Sequence, residues 1–273
     1  MRDNNSVAGL SQRSIPIDQA HLLFDLHGVL ISKSEQSRQY NAFLVDFITA
    51  NFDLSRDSTR KAIQKANEEW YGFGEIAKNL PPDRILEVYE ERNAQWTHNC
   101  FQGKFRGDNT RMAEFLEYFI PANFCSLYPE VRDTLQELHE LGIKMSLASS
   151  AFTRHIYGVL AGCNLFGFFE KIIGLDTTKY LKSNIGYFQK ALEIISTPAE
   201  HCIFVGNSVN EIKFPRALGC RVITVTRDQL SNEPFSEHDS QPITTQITEK
   251  ADLVLPDLSN LKDQLFQHKL LLL

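Results

Sequence analysis

Nowhere in this 273-residue chain does an apolar run approach the roughly 20 residues that a membrane span requires, and the closing Leu270 to Leu273 is far too short. Cysteine is scarce. Cys100, Cys125, Cys163, Cys202 and Cys220 are odd in number and contain no CxxC pair. They are therefore expected as reduced, mostly buried thiols of a cytoplasmic protein. A surplus of basic residues is also missing. The formal net charge of -6 argues against a general affinity for nucleic acid or for an anionic membrane, though a small polyanion can still bind in a local basic pocket. No internal repeat or low-complexity segment is visible. Residues 1–17 are polar, lack the apolar core of a signal peptide and are expected as a flexible N-terminal tail.

What is present is the composition of a soluble globular protein, 42% hydrophobic and 23% charged, long enough for two domains or for one domain with an insertion. The chain is organised around His21 to Leu30, HLLFDLHGVL. Leu22 to Phe24 is a short apolar run, and Gly28 breaks the pattern a few residues later. Such a run reads as a central strand of a parallel sheet, buried on both faces. Asp25 then stands at its carboxyl end, where open α/β sheets bind ligands.

From Ser32 to about Phe124 the periodicity is helical, with stripes at Tyr40, Phe43, Leu44, Phe47 and Ile48, at Ile85 to Tyr89, and at Met112 to Ile120. After Tyr128 helices and strands alternate. Strands are expected at 143–148, 171–174, 201–205, 221–225 and 252–255. Helices are expected at 129–141, 152–161, 187–195, 209–218 and 258–268. The fold class is therefore α/β, a doubly wound parallel sheet with crossover helices on both faces and a helical insertion after the first strand. The domain reading is a core of 18–31 and 125–273 with an inserted helical domain of 32–124. The polar stretch 226–250 reads as a long surface loop.

Four clusters fall at predicted strand ends: Asp25 with His27, Ser149 with Ser150, Lys182, and Asn207 with Glu211. On one sheet edge they can surround a small anion. A carboxylate can attack phosphorus to give an acyl phosphate. Serine hydroxyls and backbone N–H groups at a helix start hold phosphate oxygens. A lysine offsets the negative charge of both nucleophile and phosphate. The oxygen donors Asp25, Asn207 and Glu211 suit Mg²⁺.

These residues resemble the haloacid dehalogenase-like (HAD) hydrolases, of the type with a helical cap inserted after the first motif. FDLHGVL is similar to the family's DxDGT/V segment, which implies that Asp25 is the nucleophile. LASS resembles the second motif, with Ser149 as the phosphate-binding hydroxyl and Ser150 beside it. YLKSNIGYF resembles KPxPxxF and makes Lys182 the motif lysine, in preference to Lys179. FVGNSVNEIKFPRALG is similar to GDSxxDhxxAxxAG, with Asn207 and Glu211 at the acidic positions. The resemblance implies a phosphatase acting on a small phosphomonoester through an aspartyl-phosphate. It also implies Mg²⁺ held by Asp25, the carbonyl of His27 and Asn207, with Glu211 nearby.

Two motifs are altered: DxH stands for DxD, and GNxxxE for GDxxxD. His27 thus occupies the position of the family's acid/base, and imidazole can give and take a proton in one turnover. Asn207 keeps an oxygen but removes a charge, so the metal site is expected to be weakened. Ser183 replaces a motif proline, and Pro215 is expected to bend or interrupt the fourth-motif helix. Two alternatives stay open: a catalytically inactive HAD-like module that binds a ligand or protein partner, and a metal-independent hydrolase of dehalogenase type. His21, His139, His155, His201 and His238 are expected at the surface or at helix ends, and Asp176 and Asp228 as loop acids.

Overall fold

The computed structural model describes residues 14–70, 72–227 and 250–273. Asp228, His238 and most of the expected surface loop lie outside them. Six parallel strands form the main sheet, in the order 171–173, 144–148, 21–24, 202–206, 221–225, 253–255. In chain order they are β2 (His21–Phe24), β3 (Lys144–Ala148), β4 (Lys171–Ile173), β5 (Cys202–Gly206), β6 (Arg221–Val225) and β7 (Leu253–Leu255). All four residues of β2 are buried, because helices cover both faces of the sheet. One large cluster of aliphatic side chains packs under one face around Leu22, Met145, Leu147 and Val205. A second, with Tyr187, Phe188 and Phe204, packs on the other around Leu23.

The short strand β1 (Ile15–Pro16) pairs in parallel with β8 (Leu271–Leu272). This corrects the expectation of a flexible tail for its last residues. Ile15 is buried in the large aliphatic cluster, and burying that side chain offsets the entropy of fixing the segment. Residues 1–13 lie outside the described residues.

Between β2 and β3 the chain builds five helices: α1 (Lys33–Asn51), α2 (Arg56–Trp70), α3 (Phe73–Ala77), α4 (Pro82–Cys100) and α5 (Asn109–Phe119). Ser32 caps α1 by accepting from the Glu35 N–H at 3.3 Å, and Asp108 caps α5 through the N–H groups of Thr110 and Arg111. Helix α2 is mostly polar and buries only Thr59, Ile63 and Ala66, one narrow stripe at helical spacing. The insertion joins the sheet through two antiparallel segments. Ser32 N–H donates to the Ser126 carbonyl at 2.9 Å, and Tyr128 N–H to the Leu30 carbonyl at 3.1 Å.

The remaining helices are α6 (Val131–Glu140), α7 (Thr153–Cys163), α8 (Leu175–Thr178), α9 (Ile185–Ile195), α10 (Val209–Ala217) and α11 (Leu261–Gln267). Gly142, at φ 73°, takes the left-handed conformation that stops α6. Helix α10 runs through Pro215 and ends two residues later, so the proline terminates the helix rather than breaking it in the middle.

Cys125 and Cys163 form a disulfide with Cα atoms 4.8 Å apart, which corrects the expectation of five reduced thiols. Cys163 ends α7 on the face where the backbone of Pro121 and Phe124 lies so close that only glycine fits at Gly162. That approach brings two residues 38 apart in sequence within bridging range. Cys100, Cys202 and Cys220 are free and buried, as expected.

Candidate active site

Strand register decides which side chains meet. Phe24 is level with Leu147 of β3 and with Val205 of β5. Asp25, one residue on, donates its N–H to the Val205 carbonyl at 2.9 Å, so its side chain emerges where β2 leaves the sheet. Ser149 follows β3 and Asn207 follows β5, which brings both to the same edge. Here the chain changes direction between the two halves of the sheet, the position at which doubly wound folds place ligands.

Lys182, in the loop before α9, reaches into this edge and is buried. Its Nζ lies 2.5 Å from Asp25 Oδ1 and 2.5 Å from Glu211 Oε1. Burial opposes the ammonium charge, but the carboxylates of Asp25 and Glu211 outweigh it and hold Lys182 protonated well above the usual lysine range. Lys179 is exposed and takes no part.

Glu211 belongs to the first turn of α10. Its Oε2 accepts from the N–H groups of Asn207 and Ser208 at 2.9 and 3.0 Å and from Ser208 Oγ at 2.9 Å. Burial raises its carboxyl, but Lys182, the Asn207 N–H and Ser208 together hold it below the ordinary value. The side chain packs on Gly206, where a Cβ would come within 2.7 Å of it. Glu211, expected beside a metal, has one oxygen on Lys182 and the other on the start of α10. Asn207 Nδ2 donates to the His27 carbonyl at 3.1 Å.

Ser149 is fully buried; its Oγ accepts from the Ala151 N–H at 3.2 Å. Its own N–H donates to the Ile173 carbonyl at 2.9 Å, and its carbonyl accepts from Tyr187 Oη at 2.8 Å. These bonds fix the turn that leads into α7. Asp176 is no bystander: it accepts from Thr153 N–H at 2.8 Å and from Thr153 Oγ1 at 2.5 Å, tying α8 to the start of α7.

His27 is buried and stacks on His155, ring centroids 5.5 Å apart and planes at 27°. His155 lies at a helix end as expected, in the first turn of α7, but half-buried and facing the site, which the sequence reading did not anticipate. The available signal was its position six residues after Ser149, on the first turn of the helix whose start faces the strand edge. His21 departs from expectation. It is buried in β2, with Nε2 2.8 Å from Ser146 Oγ and Nδ1 3.0 Å from Thr197 Oγ1. His139 lies exposed at the end of α6, and His201 lies half-exposed in a short helical turn before β5.

Between the inserted helices and the sheet edge lies a cavity of about 240 Å³. His27, Ser150, Ala151 and His155 form its floor, and α1, α2, α4 and α5 supply its walls. Asp25 is 8% exposed and is not among the residues lining this cavity. One wall holds a charged network that the sequence reading did not identify. Arg154 grips Glu90 at 2.7 and 2.9 Å and bonds Glu117, which also accepts from Tyr89 Oη at 2.5 Å and Asn93 Nδ2 at 2.6 Å. Burial raises the Glu117 carboxyl above its ordinary value even against the pull of Arg154 and these donors.

A doubly wound parallel sheet with an acid and a lysine at its carboxyl edge, and a helical unit inserted directly after the acid, defines the architecture of a capped α/β hydrolase. The model of the haloacid dehalogenase-like hydrolases matches residues 20–219, and the chain belongs to that family. A phosphoglycolate phosphatase of Aliivibrio fischeri is 33% identical over 116 residues, 42% of this chain and 50% of the relative. Another, from Pseudomonas syringae pv. tomato, is 25% identical over 252 residues, 87% of this chain and 83% of the relative. The chain thus spans only half the length of the first of these. Among solved structures, the HAD-hydrolase YfnB from Bacillus subtilis, bound to magnesium, superposes with a TM-score of 0.58 at 19% identity, covering 93% of this chain and 99% of that one. At that identity the likeness concerns the fold.

Proposed function

We propose that the protein hydrolyses a small phosphomonoester through an aspartyl-phosphate. The Asp25 carboxylate attacks phosphorus, and the bond to the leaving alcohol breaks with its electron pair on oxygen. His27 delivers the proton to that oxygen. Water then attacks the same phosphorus, giving its proton to His27, and the bond to Asp25 breaks to release inorganic phosphate. Lys182, the Ser149 hydroxyl and the backbone N–H groups around Ser150 hold the phosphoryl oxygens. The domain reading, a core of 18–31 and 125–273 with a cap of 32–124, belongs to the same proposal. It is supported by the paired segments around Ser32 and Ser126.

The observation that carries the reading is the buried lysine bridging Asp25 and Glu211 at 2.5 Å to each. Glu211, anchored on α10, fixes the ammonium against the nucleophile, where it can offset the charge of an incoming phosphate.

The donor set also fits Mg²⁺ in kind. The Asp25 carboxylate, the His27 carbonyl and the Asn207 amide are hard oxygen donors, and the 3.1 Å contact keeps the last two adjacent. A turn of the Asn207 amide presents its oxygen in place of its nitrogen. Bound there, Mg²⁺ supplies charge neutralisation for the phosphoryl group. With Glu211 committed elsewhere, one carboxylate remains among these donors, which supports a weakened site. The cysteine count no longer argues for a reducing, cytoplasmic setting, because two of the five are bridged.

The test is hydrolysis of an aryl phosphate with and without Mg²⁺. Asp25→Asn is expected to lose roughly 10³-fold or more in kcat. Full activity in that variant overturns the mechanism. The non-catalytic reading draws on one observation, that Asp25 does not line the cavity; a substrate panel without turnover, with phosphate ligands still bound, favours it.

A further inference from the structure

Resting on the phosphatase reading, we propose that the cavity selects a substrate whose leaving group is an uncharged, hydroxylated ring of monosaccharide size, and that Gln36 is a specificity-determining residue for it. The relatives named above are phosphoglycolate phosphatases, whose named substrate carries a carboxylate. This cavity is built for something else.

Its walls present neutral amides from three helices: Gln36 and Asn41 of α1, Asn67 of α2 and Asn93 of α4. Two of these amides, Asn67 and Asn41, are locked in a relay with Trp96 and Ser37. Trp96 Nε1 donates to Asn67 Oδ1 at 2.8 Å, Asn67 Nδ2 to Asn41 Oδ1 at 3.4 Å, and Asn41 Nδ2 to Ser37 Oγ at 3.4 Å. Planar amides fixed in this way offer donors and acceptors of set direction, suited to hydroxyl and ring oxygens. Trp70 and Trp96 add flat apolar faces to the same walls, so the lining joins aromatic surface to a few oriented polar groups.

Charge separates this class from a carboxylate. Besides the acid/base His27 and its neighbour His155, two charged side chains line the cavity among the described residues, Lys33 and Glu117. Glu117 is buried and neutralised by Arg154, so the guanidinium a carboxylate ligand would need is already committed. Lys33, half-exposed in the first turn of α1, is the one lysine or arginine of this lining among the described residues. At about 240 Å³ the cavity is at or below the small end of ligand sites, roughly 300–1,000 Å³, room for a single ring rather than a dinucleotide.

Gln36 supplies the independent sign of a missing ligand. It is only 6% exposed, and the Ser126 hydroxyl donates to its Oε1 at 2.5 Å, which fixes the amide. Its Nε2 is buried and has no hydrogen-bond partner among the described residues. A buried donor left unmet is costly and rare in folded proteins. Gln36 lines the cavity, and a small turn of its side chain would bring this donor to a ring oxygen or hydroxyl of a bound substrate. Sites that bond a substrate hydroxyl reject analogues lacking it far more strongly than apolar pockets reject a size change.

The experiment compares kcat/KM for ribose 5-phosphate, phosphoglycolate and an aryl phosphate, for the wild type, Gln36→Leu and Asn41→Ala. Thermal shifts with the first two ligands on the wild type report binding independently of turnover. The sugar phosphate is expected to exceed phosphoglycolate at least tenfold and to give the larger thermal shift. Gln36→Leu is expected to lower the ratio of sugar-phosphate to aryl-phosphate kcat/KM at least tenfold. If that variant does not fold, Asn41→Ala supplies the same reading with a smaller fall. Preference for phosphoglycolate, or a ratio untouched by both variants, overturns the proposal. Aryl-phosphate turnover separates the two ideas: if it is present without sugar selectivity, only this inference fails, and if it is absent, the phosphatase reading fails.

Discussion

Arg154, the second residue of α7, holds both carboxylate oxygens of Glu90, on inserted helix α4, at 2.7 and 2.9 Å. The same guanidinium bonds Glu117 on α5 and lies 4.5 Å over the ring of Phe152, which stacks on Tyr89 at 4.0 Å. One residue of the core thus ties down two helices of the cap. Removing it leaves Glu117 buried without its cation. Arg154→Met is expected to cost roughly 3 kcal/mol in denaturant unfolding. Arg154→Lys should recover little, because a single ammonium cannot reproduce the bidentate grip.

Lys182 neutralises two carboxylates at once, so its loss has a chemical and a structural effect. Lys182→Met is expected to reduce aryl-phosphate kcat by about 10²-fold or more, in line with the removal of other groups that stabilise developing charge. Stability should fall as well, since Asp25 and Glu211 are left facing each other in a buried site. Steady-state kinetics and urea unfolding of the same preparation measure both effects. A variant with normal kcat and lowered stability would confine Lys182 to a structural role.

His21 gives a pH dependence of defined sign. Burial, reinforced by the charge of Lys144, lowers its pKa from 6.5 to about 4. Between these values the unfolded chain binds a proton that the folded chain does not. Stability from this group is therefore complete above about pH 6.5 and declines as the pH falls toward 4, by an amount of the order of 2–3 kcal/mol. Urea unfolding of the wild type and His21→Gln across this range should show the wild type losing more. Parallel curves would mean that His21 titrates normally.

The Cys125–Cys163 bridge closes a loop between residues 38 apart, where Phe124 and Pro121 meet α7. Loop-closure entropy assigns such a bridge about 3–4 kcal/mol. Thiol titration of the denatured chain should find three free cysteines without reductant and five with it. Reduction, or Cys125→Ser with Cys163→Ser, should lower Tm by several degrees.

Much of this protein is written in local pattern. The buried run before Asp25, the helical stripes of the insertion and the strand–helix alternation after Tyr128 each follow from side-chain period, which neighbouring residues set on their own. Asp25, Ser149 and Asn207 likewise fall at strand ends, so the sheet edge could be located from the chain alone, whereas Lys182, expected at a strand end, lies in the loop between α8 and α9 and reaches that edge only through the fold. What the sequence did not disclose depends on distance in space. His155 looked ordinary until the start of α7 was set beside His27. The division of the two Glu211 oxygens between Lys182 and the start of α10 was equally hidden. Cys125 and Cys163 looked like thiols until α7 came against Phe124. Burial, pairing and charge balance belong to the set of groups surrounding an atom, and only packing of distant segments fixes that set.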